Sequence, residues 1–176
     1  MKERKLTADG SETTFAVNFL APYLLNNLLL DLLKKSAPFR IVNATSIAHM
    51  SADIDWSDLH GERGFGGYKA YSQSKLAIIL FTYALAWRLD GTGVTANCIH
   101  PGIINTKLLR AGFGMGGESV DEGTRTPVYL ASSPDVQNVS NRYFDDCEPM
   151  RSSPISYDVD LQEWLWRLGE DLAGLR

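Results

Sequence analysis

Residues Arg40 to Lys75 constrain the fold more than any other stretch of this chain. They begin with a short apolar run that ends in hydroxyls, Arg40-Ile41-Val42-Asn43-Ala44-Thr45-Ser46. A run that contains β-branched residues and stops at small polar ones predicts a buried strand. After a polar, glycine-containing loop, Tyr71-Ser72-Gln73-Ser74-Lys75 opens an apolar segment with helical spacing, which predicts a helix over residues 69–90.

Tyr71 and Lys75 lie one helical turn apart, on the same face of that predicted helix. A free phenol has a pKa near 10 and is a poor acid or base at neutral pH, but a cation a few ångströms away favours the phenolate. Lys75 is placed to be that cation, and Ser46 can hydrogen-bond a substrate oxygen beside Tyr71. The three side chains suit interconversion of an alcohol and a carbonyl, provided that another group carries the hydride. The structural alternative is a half-buried Tyr and a solvated Lys at a helix start.

The segment Phe15–Leu33 is very apolar and predicts one long, mostly buried helix. Asp9 with Glu12 three residues later resembles a capping box at its start. Polar residues and Pro22 interrupt the apolar pattern, so we expect no membrane span. Pro22 cannot donate a hydrogen bond to the carbonyl of Asn18, so the expected kink either frees that oxygen for a water or ligand or serves packing alone.

Two later segments complete the pattern of a parallel sheet. Val94–His100 predicts a second strand and Tyr143–Phe144 a last one, in the β-α-β order of α/β proteins. The excursion Ile103–Ser119 leaves the end of a parallel strand, where ligands bind in open α/β sheets. Its glycines and apolar residues predict either a lid over a substrate or a disordered surface loop. The apolar residues are Leu108, Leu109, Phe113 and Met115.

Length and composition exclude several classes of protein. The 176 residues suffice for one domain over residues 1–176. The formal charge of -4 gives no basic footprint for nucleic acid. The two cysteines form no disulfide framework and the three histidines show no metal-ligand spacing, so we expect no metal site. The charged first ten residues carry no secretory signal, and we expect a cytoplasmic protein.

Four motifs stand in a fixed order along the chain. They are Val17-Asn18, Arg40-Ile41-Val42-Asn43-Ala44-Thr45-Ser46, Tyr71-Ser72-Gln73-Ser74-Lys75-Leu76-Ala77 and His100-Pro101-Gly102-Ile103-Ile104-Asn105-Thr106. In type, order and spacing they resemble the short-chain dehydrogenase/reductases, in the branch that contains retinol-dehydrogenase-like enzymes. The resemblance implies a Rossmann-like, doubly wound parallel sheet. It also implies an NAD(P)-dependent oxidoreductase acting on a small-molecule alcohol or carbonyl. The apolar residues of the excursion Ile103–Ser119 predict that this substrate is apolar.

The resemblance implies a role for each matched catalytic residue. Tyr71 would be the acid/base and would also contact the cofactor, and Lys75 would tune Tyr71 and bind the ribose of the cofactor. Ser46 would position the substrate oxygen. Asn18 would hold a water of the proton relay through its backbone carbonyl.

The resemblance also implies a cofactor site in the motif that follows the second strand. Ile103 and Thr106 would contact the nicotinamide carboxamide, with Pro101 and Gly102 in the same cofactor-binding segment. The cofactor would be NAD or NADP. Many relatives dimerise through two long helices, which here are expected over residues 12–35 and 69–90, and a homodimer is expected on that ground.

This sequence departs from the family pattern before its first motif. Members begin with a Gly-rich turn that binds pyrophosphate at a helix N-terminus, and later carry an Asn-Asn-Ala-Gly segment. Neither is present, so we expect a fragment whose sheet lacks the Gly-rich first βαβ units and whose first strand has an open edge. Two other functions stay open: a non-catalytic remnant that acts as an association module, and a hydrolase using Ser46, which no Gly-x-Ser-x-Gly elbow surrounds.

Overall fold

A computed structural model describes residues 3–175, with the side chains of Leu108 and Ala111 outside the description. The elements in chain order are α1 (Thr13–Phe15), a π-helical turn (Ala16–Leu20), α2 (Ala21–Lys35), β1 (Phe39–Ala44), a 3₁₀ turn (Ile47–Ser51), α3 (Gly67–Arg88), β2 (Val94–His100), α4 (Lys107–Phe113), α5 (Val120–Ser132), a 3₁₀ turn (Pro134–Val136), β3 (Tyr143–Asp145), β4 (Glu148–Met150), a 3₁₀ turn (Pro154–Tyr157) and α6 (Val159–Leu172). From α1 to α2 the chain forms one continuous helix, Thr13–Lys35.

The sheet has four strands in the order β1-β2-β3-β4. β1, β2 and β3 are parallel, with Asn43 opposite Cys98 and Cys98 opposite Tyr143. This confirms the predicted Rossmann-like α/β fold. Among the described residues β1 pairs with β2 alone, so its outer edge is open, as expected.

β4 was missed by the sequence prediction. It pairs antiparallel with β3 across a two-residue turn in which Asp146 and Cys147 have φ values of 44° and 65°. Positive φ at both central residues is the geometry of a type I′ hairpin, which Asn-Gly usually signals. Asp-Cys gives no such signal, because neither a β-turn glycine nor an alternating pattern surrounds it.

α3 runs through the middle of the molecule. Every residue from Ser72 to Ala86 is buried except Lys75. The helix packs against the sheet, the α1–α2 segment and α6, so this stretch presents no open face to a second chain. The homodimer expected through both long helices therefore stays a prediction, and in this structure only the helix Thr13–Lys35 has a free face to offer it.

An aromatic junction connects α3 to the helices on either side of it. The ring centroid of Phe81 lies 5.0 Å from that of Tyr23 and 5.7 Å from that of Trp166. Tyr23 also donates a hydrogen bond to the Trp166 carbonyl at 2.9 Å. Gly169 permits the close approach, because a Cβ there would lie 2.6 Å from the Tyr23 ring. The junction thus fixes α2, α3 and α6 relative to one another.

The prediction that the first long helix is mostly buried was wrong. Leu25, Leu28 and Leu32 are 59%, 66% and 60% exposed, because nothing in the described chain covers the outer face of α2. Within residues 3–175, Thr13–Lys35 is the one helix long and apolar enough to cross a membrane by length and composition, and 17% of its most apolar window is buried. The core helix of a soluble protein passes the same test, so the absence of a membrane span stays a prediction.

The helix start was placed correctly, but the capping box was not. Glu12 is itself the N-cap, and its carboxylate accepts hydrogen bonds from the backbone N–H groups of Thr14 and Phe15 at 2.9 and 3.0 Å. The Asp9 carboxylate accepts instead from the hydroxyl of Thr7. A carboxylate at this position suits the positive end of the helix dipole.

Candidate active site

The end of β1 is tied to the first turns of α3 by two hydrogen bonds. Thr45 Oγ1 donates to the Lys75 carbonyl at 2.6 Å, and Lys75 Nζ donates to the Ala44 carbonyl at 3.2 Å. Lys75 Nζ also lies 5.7 Å from the centre of the Tyr71 ring. The strand end and the helix face that the sequence singled out are therefore held together, although they are about thirty residues apart.

A cavity of about 640 Å³ opens at the carboxyl ends of β1 and β2. All of the predicted site residues except Asn18 line it: Ser46, Tyr71, Lys75, Pro101, Gly102, Ile103 and Thr106. Parallel strands bring their carboxyl ends to one edge, which explains why the motif after β2 meets the motif after β1.

Asn18 reaches Tyr71 from behind the cavity, through a third residue. Its Nδ2 donates to Ser74 Oγ at 3.0 Å, and Ser74 Oγ donates to the Tyr71 carbonyl at 2.7 Å. Asn18 lies in the π-helical turn that directly precedes α2, where the interruption expected from Pro22 takes the form of a widened turn. π-Turns inside helices often mark functional sites, and the role of the Asn18 carbonyl stays a prediction.

Ser46 forms the N-cap of the 3₁₀ turn that follows β1. Its Oγ accepts a hydrogen bond from the Ala48 N–H at 3.2 Å. A hydroxyl has one donor and two acceptor sites, so its proton is left to donate elsewhere. Ser46, which lines the cavity, therefore has a donor available for an oxygen placed there.

The excursion after β2 is closed at its base by backbone hydrogen bonds. Glu118 N–H donates to the Ile103 carbonyl at 2.8 Å, and Asn105 N–H donates to the Glu118 carbonyl at 2.9 Å. Gly117 is required there, because a Cβ would lie 2.1 Å from the Ile103 carbonyl oxygen. The disordered-loop alternative does not describe this segment, since the tied base carries a helix, α4.

The tip of α4 lies over the first turns of α3. The Phe113 ring makes edge contacts with Tyr71 and Tyr68, at centroid separations of 5.6 and 6.3 Å. The Tyr68 hydroxyl in turn is 3.0 Å from Ser51 Oγ, on the 3₁₀ turn. These contacts place Phe113 beside Tyr71, and a lid role for the segment stays a prediction. The predicted contact of the Leu108 side chain lies outside the described residues.

Tyr68 and His100 are among the cavity residues that sequence reasoning missed. Tyr68 lies three residues before Tyr71, a helical spacing that could have placed it on the same face. His100 ends β2, is 8% exposed, and has an Nδ1 with no partner among the described residues. Burial lowers the pKa of His100, which favours the neutral ring. Its position at a strand end was the available signal.

Burial also lowers the pKa of Lys75, to about 8. Removing an ammonium from water disfavours its charged form, and Ala44 provides a neutral carbonyl rather than a carboxylate. Burial of the Lys75 ammonium beside Tyr71 therefore lowers the free energy of unfolding. Across residues 3–175 no cluster of three His, Cys, Asp or Glu is placed to hold a metal ion.

The Lys75→Met substitution is expected to stabilise the protein near pH 7. The folded state binds fewer protons than the unfolded state between about pH 8 and the unfolded value of 10.5, so wild-type stability rises with pH through that window. The advantage of the variant, roughly 1–3 kcal/mol after allowing for partial exposure, should shrink toward pH 10. Urea unfolding of both proteins at pH 7, 8.5 and 10 measures it, with Lys69→Met as an exposed-lysine reference. A pH-independent difference would contradict the buried-cation account.

A mostly parallel sheet, with helices packed against it and a cavity at the carboxyl ends of its parallel strands, defines a Rossmann-like protein. A family model of short chain dehydrogenases matches residues 2–113, and the chain belongs to that family. This confirms the resemblance on which the site residues were chosen.

Similar proteins lie in the retinol-dehydrogenase-like branch. The chain is 43% identical to human retinol dehydrogenase 14 over 96% of its own length and 54% of the relative's. It is 40% identical to mouse retinol dehydrogenase 13, over 96% of this chain and 55% of that one. The chain thus spans about half the length of the curated relatives it matches.

Solved structures show the same fold. An uncharacterised protein of Mycobacterium paratuberculosis superposes with a TM-score of 0.80 at 31% identity, over 98% of this chain and 62% of that one. The NADPH-bound carbonyl reductase from chicken fatty liver superposes with a TM-score of 0.59 at 21% identity, over 86% and 63% of the two chains.

Proposed function

We propose that this protein interconverts a small-molecule alcohol and its carbonyl compound, with NAD or NADP as the hydride carrier. The observation that carries the proposal is the convergence of Ser46, Tyr71 and Lys75 on one cavity. That cavity lies at the carboxyl edge of a parallel sheet, where open α/β folds bind their ligands. Membership of the short-chain dehydrogenase family supports the same reaction class.

Tyr71 is the acid/base of the proposed reaction. In the oxidative direction its Oη takes the proton of the substrate hydroxyl while the carbinol carbon loses a hydride, and in the reductive direction the proton returns to the oxygen. Ser46 donates to the same oxygen, because its Oγ already accepts from Ala48. Lys75 provides the positive charge that favours the phenolate, since an ammonium with a pKa of about 8 is mostly protonated at pH 7.

The residues present fit the nicotinamide end of a dinucleotide. Among the described residues Lys75 Nζ donates to the Ala44 carbonyl alone, and an ammonium has three protons to donate. Gly102, with φ 91°, turns the backbone of Pro101–Thr106 along the same cavity. Lys75 would hold the ribose hydroxyls and this segment the carboxamide. When bound, the dinucleotide supplies or accepts the hydride.

The cavity favours an apolar substrate. Much of its wall is formed by aliphatic, sulfur-containing and aromatic side chains: Ile47, Met50, Tyr68, Ile103, Ile104, Leu109, Phe113 and Met115. Burial of apolar ligand surface contributes about 25 cal/mol per Å², so such a wall discriminates by hydrophobic area. The reacting oxygen would then lie at the polar end, between Ser46 and Tyr71.

Thermal unfolding in the presence of NADH and NADPH tests the cofactor part of the proposal. A ligand at a hundred times its Kd adds about 2.7 kcal/mol, which raises the Tm of a domain of this size by several degrees. The shift should diminish in Lys75→Met and persist in Lys69→Met, whose side chain is exposed on the same helix. No shift with either dinucleotide at millimolar concentration would contradict cofactor binding by this chain.

The second candidate function is an association module. The outer face of α2 favours it, because Leu25, Leu28 and Leu32 expose most of their side chains on one side of the helix. Sedimentation of the same samples separates the two functions. A stable dimer without any dinucleotide shift would favour association alone.

A further inference from the structure

His49 is a fully buried imidazole directly behind the proposed substrate-oxygen donor. It is 0% exposed and lies on the 3₁₀ turn that begins after Ser46. Its Nδ1 is 2.6 Å from the Ser46 carbonyl oxygen, and its backbone N–H donates to the same oxygen at 3.2 Å. Because a carbonyl oxygen only accepts, Nδ1 carries a proton. One residue therefore supplies two donors to the Ser46 carbonyl.

The imidazole is itself held by the sheet. Its ring packs edge-on against Tyr143, with centroids 4.9 Å apart. Tyr143 is 2% exposed on β3, where it pairs with Cys98 of β2. Burial lowers the pKa of His49, so the ring is neutral with its proton on Nδ1. His49 thus connects the backbone of Ser46 to Tyr143, a buried residue of the sheet two strands away.

The arrangement is poorly explained as a stability device. His49 Nε2 is buried and has no hydrogen-bond partner among the described residues. An unpartnered buried polar atom costs about 1–3 kcal/mol, whereas a typical internal hydrogen bond returns about 1 kcal/mol. An apolar side chain of similar volume would fill the same space without that cost. What the imidazole adds is the Nδ1 donor at Ser46.

We propose that His49 is a positioning residue that fixes the Ser46 carbonyl and thereby aims the Ser46 hydroxyl into the cavity. The proposal rests on the proposed role of Ser46 as donor to the substrate oxygen. With its carbonyl held from behind and its Oγ accepting from Ala48 N–H, Ser46 has little freedom to turn away. Misplacing a reacting group by about 1 Å can cost on the order of a hundredfold in rate.

Asparagine and glutamine separate the positioning role from a merely structural one. An Asn amide at position 49 reaches the place of Nδ1, whereas a Gln amide reaches the place of Nε2. We expect His49→Gln to lower kcat about 10- to 100-fold, His49→Asn to retain activity within about fivefold of wild type, and the KM for the dinucleotide to stay within about twofold in both. His49→Leu should lower kcat to about the same extent as His49→Gln.

The matched control is His60, another histidine whose Nδ1 bonds a backbone group. It accepts from Glu12 N–H at 3.1 Å and does not line the cavity. His60→Leu should leave kcat within about twofold of wild type at a temperature where it remains folded. Equal losses of kcat in His49→Asn and His49→Gln, proportional to their losses of stability, would overturn the proposal. So would activity within about twofold of wild type in both.

A second readout needs no turnover. The nitrogen chemical shifts of His49 should show the proton on Nδ1, and exchange of the Ala48 amide should be more than tenfold faster in His49→Gln than in wild type or His49→Asn. If wild type lacks activity but this exchange pattern holds, the hold on Ser46 stands and the proposed function falls. If the exchange rates are equal in all three proteins, the positioning proposal fails whatever the activity shows.

Discussion

Replacing Tyr71 by Phe is expected to lower kcat by about 10²–10⁴-fold, the usual range for loss of a general acid or base. The phenyl ring keeps the contact with Phe113 and the volume of the side chain, so only the hydroxyl is lost. The turnover rate of an apolar alcohol with NAD or NADP, measured at saturating cofactor, gives the result. The KM for the dinucleotide should change by about twofold or less, because Lys75 and the segment after β2 are untouched.

Tyr129→Phe is the control for this substitution. Tyr129 is partly buried in the cluster on the other side of the sheet, beside Phe144, and does not line the cavity. Its loss of a hydroxyl should leave kcat within about twofold. If Tyr71→Phe kept more than a tenth of wild-type activity, Tyr71 would not be the acid/base, and the cavity would have to be reassigned.

Replacing Phe81 by Ala is expected to cost about 3–5 kcal/mol of unfolding free energy. Phe81 is 1% exposed and contacts the rings of Phe19, Tyr23 and Trp166, so its removal leaves a cavity where three helices meet. The total free energy of unfolding of domains of this kind is roughly 5–15 kcal/mol, so the Tm should fall by roughly 8–16 °C. Urea and thermal unfolding measure the loss.

The matched control for this effect is Trp87→Ala, six residues further along the same helix. Trp87 is 63% exposed, so removing a larger side chain there should change stability by about 0.5 kcal/mol or less. A loss below about 1 kcal/mol in Phe81→Ala would show that α2, α3 and α6 are not held together by the aromatic junction.

The proposed catalytic motif could be found from the sequence because its spacing is local. Tyr71 and Lys75 are separated by one helical turn, so any helix at this place puts them on one face. Ser46 could be placed opposite them because a buried strand that ends in hydroxyls must deliver those hydroxyls to the edge of a sheet. The motif after β2 reaches the same cavity since parallel strands end at the same edge.

Helix surroundings could not be predicted in the same way. The periodicity of Phe15–Leu33 shows that the helix is apolar on most sides, but not which sides are covered. In the structure α3 is enclosed from Ser72 to Ala86, while Leu28 on α2 is 66% exposed. Burial depends on which elements pack against a helix, and those contacts join residues far apart in the chain. Tyr23 and Trp166, for example, are 143 residues apart.

The sequence by itself determined the alternation of strands and helices, the Tyr71–Lys75 pair and the strand-end hydroxyl of Ser46, because each follows from spacing within one element. Tertiary structure alone decided that Phe113 lies over Tyr71, that Asn18 reaches it through Ser74, and that His49 holds the Ser46 carbonyl. The physical reason is that a hydrogen bond or ring contact depends on positions within a few ångströms, and spacing along the chain fixes such positions only within one turn of helix or one strand.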